Sequence, residues 1–348
     1  NEYVCIDNDG DSCDDCSLGS YDLENDGVDS DGDGICDAGE VVGCQDSTAC
    51  NYDANATDDD GSCSYPEANY DCDGNCTSIT DCAGTCGGSA VEDECGDCGG
   101  SGPAENFTCD GTFKPETKDA LQAAVDMWVD DNATALTSYG EINTWDVSLI
   151  TDMNSLFYNK TTFNSDISNW DVSNVTHMNW MFRNASSFNQ DLSSWNMSNT
   201  TSLWRMFQNA TSFNQDISSW DVSSVTNLIE MFMKAESFNQ DLSAWDVSSV
   251  GDISGMFKEA TSFNGDISSW DVSNVIKMGS VFQFATSFNG DISSWDVSNV
   301  IRMSFMFYSA SSFDQDISSW DISSVYQFAQ TFNLTNSLSD YNKCAIYT

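Results

Sequence analysis

The chain has 348 residues, 56 of them acidic and 10 basic, for a formal net charge of −46. Such a polyanion lacks the basic footprint that a nucleic-acid binder needs, and anionic membrane repels it as well. Hydrophobic residues make up 40% of the chain and aromatic residues 12%, enough for a sizeable core, so wholesale disorder is excluded. No apolar run approaches 18 residues, so no membrane insertion is expected. No secretion signal precedes Asn1, as expected of a processed chain.

Charge and cysteine divide the chain. Residues 1–111 carry no Lys or Arg, and the first base is Lys114. Cys5, Cys13, Cys16, Cys36, Cys44, Cys50, Cys63, Cys72, Cys76, Cys82, Cys86, Cys95, Cys98 and Cys109 crowd the same stretch, and Cys344 stands apart. Cysteines this dense imply a disulfide framework formed in an oxidising compartment. Structural zinc is the rival, but the single histidine, His177, lies elsewhere.

Residues 29–40 fit a twelve-residue calcium loop. Asp29, Asp31 and Asp33 take positions one, three and five, and Gly34 takes the sharp turn. Ile35 offers its carbonyl, Asp37 takes position nine, and Glu40 takes the bidentate twelfth position. The flanks do not read as helices. Asp7, Asp9, Asp11 and Asp15 form a poorer second set with Leu18 at the twelfth place. The run from Asp7 to Asp37 resembles thrombospondin type 3 calcium repeats. Farther on, Asp71-Cys-Asp-Gly-Asn-Cys76, Asp81-Cys-Ala-Gly-Thr-Cys86 and Glu94-Cys-Gly-Asp-Cys98 read as copies of one small Cys-loop that depends on cross-links. The stretch from Gly43 to Cys63 resembles Cys-rich modules of secreted surface proteins from marine microbes.

Beyond Cys109 one period governs. Trp145, Trp170, Trp195, Trp220, Trp245, Trp270, Trp295 and Trp320 are 25 residues apart, as are two Phe series that start at Phe157 and Phe163. A fixed period without insertions means a solenoid. The fold class is therefore a repeat solenoid of eight 25-residue coils, leucine-rich-repeat-like, with short parallel strands and short helical turns. A disulfide-rich, mostly irregular N-terminal region precedes it. Trp170-Asp-Val172 is expected to be the strand, and Met178, Met181, Phe182 and Ala185 a helical turn on the other wall. The Trp series is read as core, with an exposed sugar-binding platform as the rival. The column led by Asn164 tolerates Asp314, and the column after Trp tolerates Asn196, so both require a side-chain carbonyl oxygen, as in an Asx turn. The invariant column from Asp166 to Asp316 is expected to accept backbone N–H bonds, with a row of bound cations as the alternative.

The boundaries drawn are 1–44 for the calcium segment, 45–111 for the Cys-loops, 112–144 for a capping helix and 145–348 for the solenoid. The helix is expected over 116–129, facing the first coil with Leu121, Val125, Trp128 and Val129. Leu334, Leu338, Tyr341, Ala345, Ile346 and Tyr347 are expected to cover coil eight.

Phe188-Asn-Gln-Asp-Leu-Ser-Ser-Trp195 and Asp271-Val-Ser-Asn-Val-Ile-Lys-Met278, with the Met-Phe and Ala-x-Ser-Phe that follow, carry a family resemblance. Residues 112–348 resemble the bacterial surface protein 26-residue repeat, grouped with BspA-like leucine-rich repeats. The resemblance implies a solenoid on secreted or surface proteins and no common enzymatic activity.

Asn-x-Ser/Thr sequons fall at Asn55, Asn75, Asn106, Asn132, Asn159, Asn174, Asn184, Asn196, Asn199, Asn209 and Asn333. Some are expected to carry glycan if the source is eukaryotic. No nucleophile–base pairing or phosphate loop supports an enzyme. The leading expectation is a structural subunit of an extracellular fibre, hair or sheath, stabilised by calcium and disulfides. It would pack head-to-tail on copies of itself, with Cys344 available for a bond between chains. The alternative is a surface adhesin or a solenoid that binds glycans or matrix proteins. It ranks lower because the outward residues read as monotonous Ser, Asn and Asp.

Overall fold

The computed structural model describes residues 10, 27–28, 37, 40–339 and 341–342. The chain forms two compact units, Asn1–Gly102 and Pro103–Thr348.

In the first unit the paired strands are β1 (Val42–Gly43) and β2 (Asp58–Asp59), which run parallel. Disulfides join Cys44 to Cys63, Cys50 to Cys72, Cys76 to Cys86 and Cys82 to Cys98. Cys95 and Cys109 are disulfide-bonded as well. The three Cys-loops share one geometry. Asp71 Oδ1 accepts from the backbone N–H of Asp73 and Asn75, Asp81 Oδ1 from Ala83 and Thr85, and Asp93 Oδ1 from Cys95 and Asp97. Gly74, Gly84 and Gly96 close these turns at φ of 80°, 80° and 84°, where a Cβ is disfavoured. A fourth copy, unforeseen from the sequence, spans 107–113 in the second unit, with Thr108 in the Asp place and Gly111 at φ 82°. Among described hydrophobic residues up to 102, only Cys44, Ala49 and Cys86 are buried. Cross-links thus stand in for a core.

The second unit opens with the cap. Helix α1 (Lys118–Asp130) starts where Thr117 accepts from the Ala120 N–H. It buries Leu121, Ala124, Val125 and Trp128, while Val129 is only partly covered. A second helix, α2 (Asn132–Tyr139), begins at the Asp131 cap and ends at Gly140. Trp145, the first rung of the ladder, meets Phe113, Trp128 and Tyr139 edge-on. The ion pairs Lys114–Asp146, Lys118–Asp152 and Lys160–Asp126 fix the cap to coil one.

The coils correct the expected strand and helix. Trp170-Asp-Val172 pairs with nothing as a strand. Parallel pairing instead forms one column, Asp152, His177, Ser202, Asn227, Asp252, Lys277, Arg302 and Gln327. The expected helical turn is a run of overlapping β-turns, closed by Met181 N–H to Met178, Arg183 to Trp180 and Ala185 to Phe182. Two positions per coil lie in the left-handed region, Trp180 (φ 59°) and Asn184 (φ 62°) in coil two, which no α-helix allows. Chained turns expose amides sideways. Those of Met178, Trp180, Phe182 and Asn184 donate to carbonyls of the next coil at 2.8–3.2 Å.

The interior holds three aromatic ladders. The Trp rings are buried in coils one to seven and half-buried at Trp320, which rules out the exposed-platform reading. Each ladder indole N–H from Trp170 to Trp320 donates to a carbonyl of the preceding coil at 2.7–3.2 Å. The two Phe columns stack within each coil at 3.7–4.1 Å between centroids.

The Asn column behaves as its substitution pattern implies. Asn164 Oδ1 accepts from the Asn189 N–H, and the relay runs through every coil to Asp314, which accepts from Ser339. Asn239→Ala is expected to cost about 1 kcal/mol, because the Asn264 N–H loses its partner, whereas Asn239→Asp stays near neutral. A shift in denaturant midpoint at constant slope checks this.

The Asp columns on either side of Trp cap Asx turns. Asp216 and Asp221 accept from the N–H of Ser218 and Ser223, and the other coils repeat the pattern. These bonds hold carboxyls below their ordinary value of 3.8. For Asp216, Asp266 and Asp291 the backbone N–H of the serine two residues on contributes most; for Asp221, Asp246 and Asp271 the serine side chain does. A carboxyl whose folded pKa lies below its unfolded one stabilises the fold above the unfolded value and loses that contribution as pH falls through the folded one. The melting temperature is therefore expected to hold down to about pH 5 and fall below about pH 4. A rise on acidification would contradict this.

At the far end Leu338 is buried, but Leu334 and Tyr341 are 52% and 75% exposed and do not cover coil eight. Thr335 and Asn342 close it with polar bonds, Thr335 Oγ1 to the Phe307 carbonyl and Asn342 Nδ2 to the Asp314 carbonyl. Ala345, Ile346 and Tyr347 lie outside the described residues.

Candidate functional site

The overlapping turns form a wall whose inward residues repeat and whose outward residues do not. The left-handed positions present a new side chain in each coil. One column reads Ser155, Trp180, Arg205, Glu230, Gly255, Ser280, Phe305, Gln330; the other reads Asn159, Asn184, Asn209, Lys234, Glu259, Phe284, Ser309, Leu334. Between them Tyr158, Arg183, Gln208, Met233, Lys258, Gln283 and Tyr308 vary as freely. Every Lys and Arg between 161 and 342 lies on this wall: Arg183, Arg205, Lys234, Lys258, Lys277 and Arg302. The expectation of monotonous outward residues is therefore wrong for this wall, though it holds for the Ser-rich Asx turns. The signal was in the sequence, in the columns where the period fails.

Charge on the wall is matched from coil to coil. Arg205 pairs with Glu230 at 2.8 Å, Lys277 with Asp252 at 3.0 Å and Lys234 with Glu259 at 3.4 Å. Half-exposed pairs of this kind contribute about 0–1 kcal/mol. Aromatic groups cluster in two places. Trp180 and Trp204 lie 4.6 Å apart, with Arg205 over Trp204 and Arg183 over Tyr158. Farther along, Phe284 and Phe305 meet Tyr308 edge-on. Ile276, Phe284 and Tyr326 are exposed there.

The sequons are mostly at the surface: Asn55, Asn75, Asn132, Asn159, Asn174, Asn196, Asn199 and Asn333 are exposed, and Asn106, Asn184 and Asn209 are half-buried. The row of three is an amide ladder, with Asn184 Nδ2 donating to Asn159 Oδ1 at 2.6 Å and Asn209 Nδ2 to Asn184 Oδ1 at 3.0 Å. Of the calcium loop, Asp37 and Glu40 are described, and the Asp37 N–H donates to the Val28 carbonyl at 2.8 Å. Asp29, Asp31, Asp33 and Ile35 lie outside the described residues, as do Asp7, Asp9, Asp11, Asp15, Cys5, Cys13, Cys16, Cys36 and Cys344. Among the described residues no cluster of His, Cys, Asp or Glu could hold a metal, and no helix is long and apolar enough to cross a membrane.

No curated protein matches the chain. Among solved structures, the one titled "Crystal structure of TLR13-ssRNA13 complex" aligns over 65% of this chain at 8% identity and a TM-score of 0.15. The chain spans about half (52%) of that structure's length. The family described as "Mycoplasma protein of unknown function, DUF285" matches twice, at residues 126–245 and 226–343. The two matches overlap and together cover the α1 end, all eight coils and the closing turns, well over half of the chain, so it belongs to the DUF285 family.

Proposed function

We propose that the protein is a non-enzymatic extracellular surface component whose solenoid presents its turn wall for recognition, as an adhesin does. The partition within each coil carries this reading. Interior columns repeat, while the outward turn columns differ from coil to coil and collect the bases and exposed aromatic side chains. Solenoids recognise partners through such faces. The dense disulfides and the likeness to bacterial surface protein repeats of the BspA type support the extracellular setting. A catalytic role finds little support. One cleft of about 420 Å³ is lined by Thr108, the disulfide-bonded Cys109, Asp110, Thr112 and Asp146, where the Thr108 hydroxyl donates to the Asp110 carboxylate within a turn, and one of about 300 Å³ by Trp128, Asn132, Phe163 and Ser165; neither is lined by His, Lys or Arg. Calcium in the 29–40 loop belongs to the same reading, supported by its ligand spacing. The test is binding of the full chain to immobilised polysaccharides and matrix proteins. A Tyr158→Ser, Phe284→Ser, Tyr308→Ser variant is expected to lose binding, and a Ser194→Ala, Ser219→Ala variant to keep it. Equal binding by both would overturn the proposal.

The fibre reading rests on a different observation, the odd count of 15 cysteines, with Cys344 far from the rest. Non-reducing electrophoresis decides it. A ladder of multimers that collapses with reductant supports a bond between chains, and a single monomer band removes the covalent link.

A further inference from the structure

Along the turn wall each coil donates its amides forward. In the columns from Ser155 to Phe305, from Phe157 to Phe307 and from Asn159 to Ser309, every N–H meets the carbonyl 24 residues on, at 2.7–3.0 Å. The next members, Gln330, Phe332 and Leu334, have no such partner among the described residues. The interior columns open at the same place. Trp320, Val325, Phe328 and Phe332 are half-buried, whereas Trp295, Val300, Met303 and Phe307 one coil back are at most 3% exposed. Coil eight therefore ends in a row of donors beside uncovered apolar side chains.

Edges that face water are usually protected by charge or proline. This one is not. Residues 326–334 hold no Asp, Glu, Lys, Arg or Pro, while the same stretch of each of the other seven coils carries at least one charged residue. Two candidates within the protein fail to cover the edge. The first coil of a second copy has the complementary carbonyls, but helix α1 lies on them. Gln122 Nε2 donates to the Leu156 carbonyl at 3.0 Å, and Lys118 pairs with Asp152. The residues after coil eight enter a ninth coil and leave it. Leu338 is buried at the Phe313 register and the Ser339 N–H meets Asp314 Oδ1, but Tyr341, Asn342 and Ala345 stand where Asp, Ile or Leu, and Trp recur.

We propose that this edge docks a segment of another chain that folds as one more turn wall. The segment places alternate carbonyls on the Gln330, Phe332 and Leu334 amides. Its apolar side chains, spaced as in Met-x-x-Met-Phe, cover Phe328 and Phe332. Addition of a segment to an open edge is a general mode of peptide recognition, with main-chain bonds for affinity and side-chain pockets for selectivity. The conformation of the edge sets the kind of segment. Gln330 and Leu334 hold left-handed φ of 59° and 61°, so the edge follows chained turns and a straight strand does not track it. This docking is separate from whatever the outward side chains of the wall recognise.

The test uses the full, oxidised chain extended after Thr348 by a flexible Gly/Ser linker and a copy of residues 251–260, a turn wall of this chain. Tethering brings the copy to about millimolar effective concentration. Amide hydrogen exchange reads the edge. In the unextended chain Gln330, Phe332 and Leu334 are expected to exchange fast, and Phe305, Phe307 and Ser309 slowly. The extension is expected to slow the first three about tenfold or more. A copy carrying Ile253→Ser, Met256→Ser and Phe257→Ser is expected to leave them fast. No slowing by the native copy overturns the proposal, and equal slowing by both copies overturns the apolar pattern that defines the partner. Protection of the three amides in the unextended chain overturns it as well, because the edge is then already covered.

Discussion

Trp245→Ala is expected to destabilise the solenoid by about 3–5 kcal/mol, the largest effect of any single substitution in its interior. Trp245 is 3% exposed, stacks on Trp220 at 6.4 Å and donates its indole N–H to the Ile217 carbonyl at 3.0 Å. Alanine removes the ring from between coils together with its bond to that carbonyl, which keeps only the Trp220 N–H at 3.1 Å. Each coil contacts only its neighbours, so the loss falls first on the coils around 220 and 270. Trp245→Phe keeps much of the buried area but not the bond, and is expected to cost less. Chemical denaturation followed by fluorescence measures both. An unchanged midpoint for Trp245→Ala would show that the ladder does not hold the coils together.

Reduction is expected to unfold the first unit and leave the solenoid's transition in place. The described part of the first unit has almost no apolar interior, and its loops are tied forward by Cys76–Cys86 and Cys82–Cys98. Losing one native bridge from a small cross-linked unit typically costs about 2–5 kcal/mol, enough to abolish its order. Cys82→Ser with Cys98→Ser, or reductant alone, should open 44–102 to protease while a fragment from about residue 103 persists. Every tryptophan lies at or beyond Trp128, so fluorescence reports the second unit alone. A fluorescence midpoint that drops with reduction would contradict the independence of the two units.

The interior was legible because its columns repeat. Trp, Phe, Asn and Asp recur at one spacing, and the exchange of Asn for Asp314 and of Asp for Asn196 showed that an oxygen, not a charge, was required. The secondary structure was less legible for a physical reason. Chained turns bury their first and fourth residues, so Met178, Met181, Phe182 and Ala185 fall at the spacing of a helical face without forming a helix. The positive φ at Trp180 and Asn184 distinguishes the two; Asn favours that region and is the one local signal, repeated at Asn159 and Asn209, whereas Trp gives none. Helix α2 was missed because 132–139 has little apolar periodicity and begins at the Asp131 cap. The wall was missed because attention to a consensus discards the columns that break it.

Oxidative footprinting of the native chain tests most directly the division of each coil into a fixed interior and one variable wall. Hydroxyl radicals label aromatic side chains in proportion to their exposure. Tyr158, Phe284 and Tyr326 are 39%, 39% and 64% exposed, whereas Trp195, Trp220 and Trp245 are 2–3% exposed and Phe207, Phe213 and Phe232 fully buried. Ready labelling of the first three, intermediate labelling of Trp180 and Trp204, and protection of the ladders is the expected pattern. Labelling of the ladder tryptophans at rates equal to the wall aromatics would contradict the account.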